Sequence, residues 1–347
     1  MNKKLSIFAV VLIIIGIIGT IFSGIKSMPY FMKVMSNAEK EINRETNIYN
    51  KDVDINKLYI STIDSNIVIK KHNKNNIVIN EKGKDKYAKF EVNSNENLLE
   101  IKQLENSRSK VNDFYNIKNL NDLLNIVVEN IYKNTNHSIV VYIPKDADIE
   151  VITESGNLKI EDDIFLDNLT FKTSLGYVSL PKDILKLSKL DIKSNGSVQL
   201  AMSELLGIKD VNIEARDINI YSDDKDIFIN DIESYIPENI AINQRINNPN
   251  YGNVNINTNI PVANNINING YNSDVTLDLP IQKYKINFDI KSSENILLQG
   301  LVNKNIVSDK TTINENIREI KGILNKQLEN LEKQYNVNVK SQNINIY

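Results

Sequence analysis

The chain has 347 residues, long enough for one large domain or two ordinary ones. Its net charge of −3 offers no basic field to nucleic acid, and the absence of cysteine excludes disulfides, thiolate metal sites and a cysteine nucleophile. Two histidines and no tryptophan leave little material for the common catalytic constellations.

Residues 1–4 read as a short cytoplasmic tail, and Leu5–Ile25 carries no charge. As a helix this stretch is about 31 Å long, matching a hydrocarbon core of about 30 Å, so the expectation is a single transmembrane helix. A cleaved signal peptide has a shorter apolar core, although the small residues in "FSGIKSMPY" leave cleavage open. Lys3 and Lys4 orient the N-terminus to the cytoplasm, and Lys26 and Lys33 weaken that bias. The expected localisation is the cell membrane, single-pass, with an extracytoplasmic C-terminal domain. Residues 26–50, with "MKVMSNAEKEINRE", read as a charged juxtamembrane stalk.

From residue 51 to about 310 the chain reads as strands. "DSNIVI" at Asp64–Ile69 is a first apolar–x–apolar phrase, followed by the lysine-rich "KKHNKNN" and "KGKDKYAK". His72 lies in that polar corner and reads as a loop residue. His137 precedes the strand "SIVVYI" and has no second histidine at metal spacing. Between them, within about 109–134, Leu120, Leu123, Leu124, Val127, Val128 and Ile131 follow one helical face, which predicts an inserted helix.

A phrase then recurs. Leu158, Val178, Val198 and Ile218 each open an apolar–x–apolar triplet at steps of twenty residues. Ile149/Val151, Leu169/Phe171, Leu190/Ile192 and Val211/Ile213 supply a second triplet before each one. Polar corners with Gly156, Gly176 and Gly196, or Arg216–Asp217, lie between the two. Period two puts both apolar residues of a triplet on one strand face. Glycine at the corners suits a positive φ. One such unit buries too few side chains to offset the entropy of ordering twenty residues, so units must stack. The expected fold is all-β: a β-solenoid of stacked coils of about twenty residues, with Leu158, Val178 and Val198 in one column. "NYGNVNI", "YNSDVTL" and "SSENILL" continue the pattern less evenly. Asp223, Asp224 and Asp226 in "YSDDKD" could meet a hard cation, but the spacing of a calcium loop is missing and a charged corner fits better.

Residues 311–336 read as a C-terminal helix, because Ile313, Ile317, Ile320, Leu324, Leu328, Leu331 and Tyr335 line one side. Residues 337–347 return to strand alternation.

"IVVYIPKDADIEVITESGNLKIED", "LTFKTSLGYVSLPKD" and "LDIKSNGSVQL" resemble the bacterial β-strand-repeat proteins of unknown function grouped as "putative adhesins". The Leu/Ile–Pro strand endings Ile143–Pro144, Leu180–Pro181 and Leu279–Pro280 match as well. The resemblance implies membrane anchoring and an association with envelope stress. It is strongest over residues 137–230. Here the corner Asp is often replaced by Asn or another residue.

No catalytic, cofactor-binding or metal residue is assigned, and no cofactor is expected. The expected function is a non-enzymatic, membrane-anchored scaffold or binding module of the cell envelope. Its partners would be the membrane, through the single span, and an envelope protein or cell-wall polymer, with no nucleic acid. The alternative is a carbohydrate-active β-helical enzyme, which would need carboxylates converging on one flank.

Overall fold

The computed structural model describes residues 43–52, 54–82, 89–105, 137–144, 147–161, 167–182, 185–223, 231–244, 252–270, 272–280, 284–298, 307–308, 319–325 and 333–347, with Met28, Pro29, Met32, Lys33, Ser36, Asn37 and Lys40. The last seven are helical and exposed. Among the described residues, everything from Glu45 onward is built from strands, two 3-10 turns at Met202–Glu204 and Ile232–Ser234, and connections.

Two ladders of mainly parallel strands face each other across an apolar core. The first ladder runs Leu98–Glu105, Lys57–Thr62, Asp148–Thr153, Asn168–Thr173, Leu187–Ser194, Ile208–Ala215, Asn239–Gln244 and Asn265–Asn269. It continues through residues 336–340 of Gln334–Ile346 and then Lys285–Leu298. Antiparallel strands border it, Lys89–Asn95 beside Leu98–Glu105 and Glu319–Leu324 beside Lys285–Leu298. Alternation decides which side chains turn in: Ile149/Val151, Leu169/Phe171, Leu190/Ile192 and Val211/Ile213 are all buried, as the triplets require.

The second ladder is split. Its first part is a six-stranded sheet in the order Glu45–Lys51, Ile77–Lys82, Ser138–Ile143, Asn66–Lys71, Leu158–Ile160, Val178–Ser179. Its second part runs Ser197–Ala201, Asp217–Tyr221, Gly252–Asn257 and Ser273–Asp278, and continues through residues 343–346 to residues 295–298. Among the described residues no strand pairing joins Val178–Ser179 to Ser197–Ala201. Leu158 therefore pairs with Val178, and Val198 with Ile218, but the expected single column is interrupted between Val178 and Val198.

A buried carboxylate spans the interruption. Glu204 accepts Leu180 N–H on Oε1 at 3.0 Å and Ala201 N–H on Oε2 at 2.9 Å. It thus supplies one acceptor to each side of the split. Burial pushes the Glu204 carboxyl up from its ordinary range, against the two N–H bonds and Lys182, which favour the anion.

The corner glycines answer to close approach rather than to positive φ, which among the described residues occurs at Gly207, Gly322, Asp231 and Asn325. A Cβ at Gly156 would collide with the Ser65 carbonyl, and one at Gly176 with the Gly156 carbonyl. Thr153 and Thr173 hydroxyls accept the N–H of Gly156 and Gly176 at 2.8 and 2.7 Å, closing each corner. At Gly196 the nearest atom to such a Cβ is Ser174 O, at 3.7 Å. The corners stack tightly up to Gly176 and open at Gly196, on the split.

Three expectations are corrected. The β-solenoid with a transmembrane helix, an inserted helix and a C-terminal helix gives way to two ladders, one of them split, bordered by antiparallel strands. Segment 311–336 is not a helix where it is described: Glu319–Leu324 is a strand, and Gln334 opens another. Ile320 and Leu324 are four apart, a spacing that one helix face and one strand face share, and both are buried opposite Ile290 and Ile286. The inserted helix about 109–134 lies outside the described residues. So does Leu5–Ile25, on which single-pass localisation rested. Among the described residues no helix is long and apolar enough to cross a membrane, so that localisation is withdrawn. An uncharged run of that length is a condition for a span and does not by itself place one.

The chain's last strand lies inside the stack. Gln334–Ile346 is sandwiched between Asn265–Asn269 and Ser273–Asp278 on one side and Lys285–Leu298 on the other. It ties both ladders together. Tyr335 at its start is buried and donates to Glu233 Oε2 at 3.1 Å, and Tyr284 donates to Oε1 of the same carboxylate at 2.6 Å.

Candidate binding face

Outward positions of the first ladder fall into rows, because parallel pairing places like positions opposite each other from strand to strand. One row reads Asn168, Lys189, Asp210, Asn239, Asn265, Asn336. The next reads Glu150, Thr170, Asp191, Asn212, Ala241, Asn267, Asn338. Along each row the chemistry changes.

The N-terminal half is ionic. Glu150 receives Lys57 at 3.1 Å and Lys172 at 2.7 Å; Lys189 meets Asp191 at 2.7 Å, and Lys193 meets Glu214 at 3.2 Å. The hydrogen bond from Lys172, with Lys57 beside it, holds the Glu150 carboxyl below its ordinary range. On the six-stranded sheet Glu161 is held down in the same way by Lys159 and Lys70.

The C-terminal half is built from amides. Asn239–Gln244 reads NIAINQ and Asn265–Asn269 reads NININ, neither with a charge. Asn239 donates to Asp210 Oδ1 at 2.7 Å, Asn265 to Asn239 Oδ1 at 3.0 Å and Asn336 to Asn265 Oδ1 at 2.8 Å. Asn287 donates to Asn336 Oδ1 at 3.2 Å, and in the neighbouring row Asn338 donates to Asn267 Oδ1 at 2.9 Å. Asn243, Asn267, Asn269 and Asn338 are exposed. A primary amide has two N–H donors and two acceptor lone pairs, so a row bond leaves each amide further groups to offer.

The residues considered from sequence lie elsewhere. His72 is half-buried, its Nδ1 2.6 Å from Asn76 O. His137 is buried, with Nε2 2.7 Å from Glu81 Oε1, Nδ1 3.1 Å from Ser65 Oγ, and its ring stacked on Phe90. Ser65, Glu81 and His137 are all buried. Asp223 accepts from Lys182 at 2.5 Å and Ser203 at 2.8 Å, while Asp224 and Asp226 lie outside the described residues. Among the described residues no group of three His, Asp or Glu side chains is placed to hold a metal. Of the lysine-rich corners, Lys70 pairs with Glu161 at 2.9 Å. Sequence reasoning passed over the asparagine rows. Their signal was the run of Asn at every second position around inward Ile and Val.

The Toastrack DUF4097 family matches residues 55–346, the two-ladder fold apart from its border strand Glu45–Lys51. The chain belongs to the Toastrack family. Among solved structures, this Toastrack chain is similar to a "putative adhesin" from Bacteroides fragilis, at 11% identity over 88% of this chain and 97% of that one, with a TM-score of 0.33. A "putative cell adhesion protein" from Clostridium sporogenes gives 11% identity over 87% and 99% of the two chains, with a TM-score of 0.21. A "putative adhesin" from Parabacteroides distasonis gives 14% identity over 68% and 80%, with a TM-score of 0.26. No curated protein matches the chain.

Proposed function

We propose that this Toastrack protein is a non-enzymatic scaffold that uses the outer side of its first ladder to bind a cell-wall polymer or an envelope protein, in an adhesive or regulatory contact. The observation that supports this is the long polar face itself. Its rows run in register over successive strands, and neighbouring side chains fix one another through ion pairs and amide bonds. Side chains already held in place lose little further freedom when a ligand docks. Glu150, Asp191 and Glu214 on this face are engaged by lysines of the same strand or the next one rather than converging on an open cleft.

The test incubates purified protein with insoluble wall material and, separately, cross-links it in intact cells. Expected outcomes are co-sedimentation with the wall or capture of an envelope protein, with no release of reducing sugar from the polymer. Release of reducing ends that survives further purification overturns the non-enzymatic reading, and failure to retain any polymer or protein overturns the scaffold.

A further inference from the structure

We infer that the amide half of the first ladder is the docking surface for a neutral glycan chain carrying acetamido groups. This rests on the scaffold reading and narrows it to one site and one ligand chemistry.

The argument starts from charge. The strands Asn239–Gln244 and Asn265–Asn269 and the first outward residues of Gln334–Ile346, Asn336 and Asn338, place an uncharged field between Asp210 and Glu214 on one side and Lys340, Asp289 and Lys291 on the other. The charged groups of a polyanion only accept and need a cation beside them, and among the described residues the field itself supplies none. It therefore suits a ligand that both donates and accepts and carries no charge.

Hydroxyl and acetamido groups do both. The exposed Asn267 and Asn338 share one bond of 2.9 Å and keep donors and acceptors for the ligand. Asn243 and Asn269 stand opposite each other in the next row and are exposed as well. The strands beneath fix all of these rows at rungs of about 4.8 Å. The result is a regular lattice of amides in fixed positions, suited to a polymer that repeats its own groups.

Shape argues against a folded protein as occupant. A protein interface is anchored by aromatic, aliphatic or arginine side chains in pockets. Among the described outward positions of Asn239–Gln244, Asn265–Asn269 and residues 336–338, the one apolar side chain is Ala241. Many weak polar contacts repeated along a chain are how such a surface gains strength, by multivalency.

The experiment titrates the full-length protein with N-acetylglucosamine hexamer, a neutral probe. Wild type is expected to bind it equally at about 0.05 and 0.5 M salt, because no charge pairing is involved. Asn267→Asp and Asn338→Asp, made separately so that the neighbouring amide can turn and still donate, are each expected to weaken binding at least about tenfold. Their melting temperatures should match wild type, which separates a lost contact from a lost fold. Lys159→Gln, on the six-stranded sheet and off this face, is expected to leave binding unchanged.

Absence of hexamer binding by wild type overturns the inference. So does equal binding by the Asp variants, loss in Lys159→Gln, or displacement of the hexamer by an extended peptide at lower concentration. If wall material is still retained at full strength by both Asp variants, the site is wrong and the scaffold reading stands. If wild type retains nothing at all, the scaffold reading itself has failed.

Discussion

The two halves of the stack use the same strands for different purposes. Up to Ser179, corners interlock until a single Cβ would collide with the preceding carbonyl, and from Lys57 to Glu214 the outer face is laced by Lys–Glu and Lys–Asp pairs. From Ser197 onward the first corner is loose, and by Asn239 the outer face has become an uncharged amide array. The first ladder runs through both halves without a break, while the second is interrupted and spanned by Glu204. A repeating sequence thus secures the inner, buried residues of every coil. What the coil presents outward is free to differ from one half to the next.

The largest expected effect falls on the join. Glu204→Leu removes the acceptor of two buried N–H groups, Leu180 and Ala201, and should lower unfolding stability by about 2–5 kcal/mol in urea denaturation. A change under about 0.5 kcal/mol would show that the halves hold together without that carboxylate. The pH dependence follows. The folded Glu204 carboxyl takes up its proton more readily than in the unfolded chain, so the folded state binds more protons and stability falls as pH rises through this range. Glu204→Gln should remove that component.

Next come the corners, which are tight at Gly156 and Gly176 and again at Gly252 beyond the split, where a Cβ would meet the Arg216 carbonyl, and open at Gly196 on the split itself. Gly156→Ala should cost about 1–3 kcal/mol because its Cβ meets the Ser65 carbonyl. Gly196→Ala, with its nearest neighbour 3.7 Å away, should stay within about 0.5 kcal/mol. Equal costs at both corners would erase the distinction between a tight and an open stack.

Much of this is visible in the sequence and part of it is not. The step of twenty residues reports Leu158 opposite Val178 and Val198 opposite Ile218 correctly, since inward apolar residues must align when strands stack in register. The same step between Val178 and Val198 carries no backbone pairing, because an apolar triplet specifies which way a strand faces and not whether its neighbour is bonded. Ile320 and Leu324 failed for a related reason, as a spacing of four satisfies both periods. Gly322 between them, opposite Phe288, is the local hint of a strand that must yield room to a ring. The amide face was legible in principle, in "NIAINQ", "NININ" and "NVNVK". Asparagine at alternate positions reads as mere polarity until the rows show it bonded to itself.

Smaller effects sharpen the comparison further. Tyr335→Phe removes one of the two phenol donors to Glu233 and should cost about 1 kcal/mol, loosening the last strand of the amide half. A melting temperature identical to wild type would show that this bond is not needed. Smallest is the ionic half's dependence on acid. Glu150 and Glu161 are held below their ordinary range, so their stabilisation is present above the unfolded carboxyl range and is lost as pH falls through it. Both are partly exposed, so Glu150→Gln should flatten the acid limb by less than about 1 kcal/mol. The change should shrink in high salt, and an acid limb unaltered by the substitution would assign it to other groups.

The central claim is that one ladder is continuous in register while the other is split between Ser179 and Ser197. The chain has no cysteine, so paired cysteines report on register without background. Directly opposed positions in a ladder fall within disulfide reach. Under mild oxidation Thr170→Cys with Asp191→Cys, and Asn267→Cys with Asn338→Cys, should cross-link nearly completely, and Tyr177→Cys with Ser197→Cys should not. Efficient cross-linking of the Tyr177/Ser197 pair, or failure of either first-ladder pair, would contradict the account.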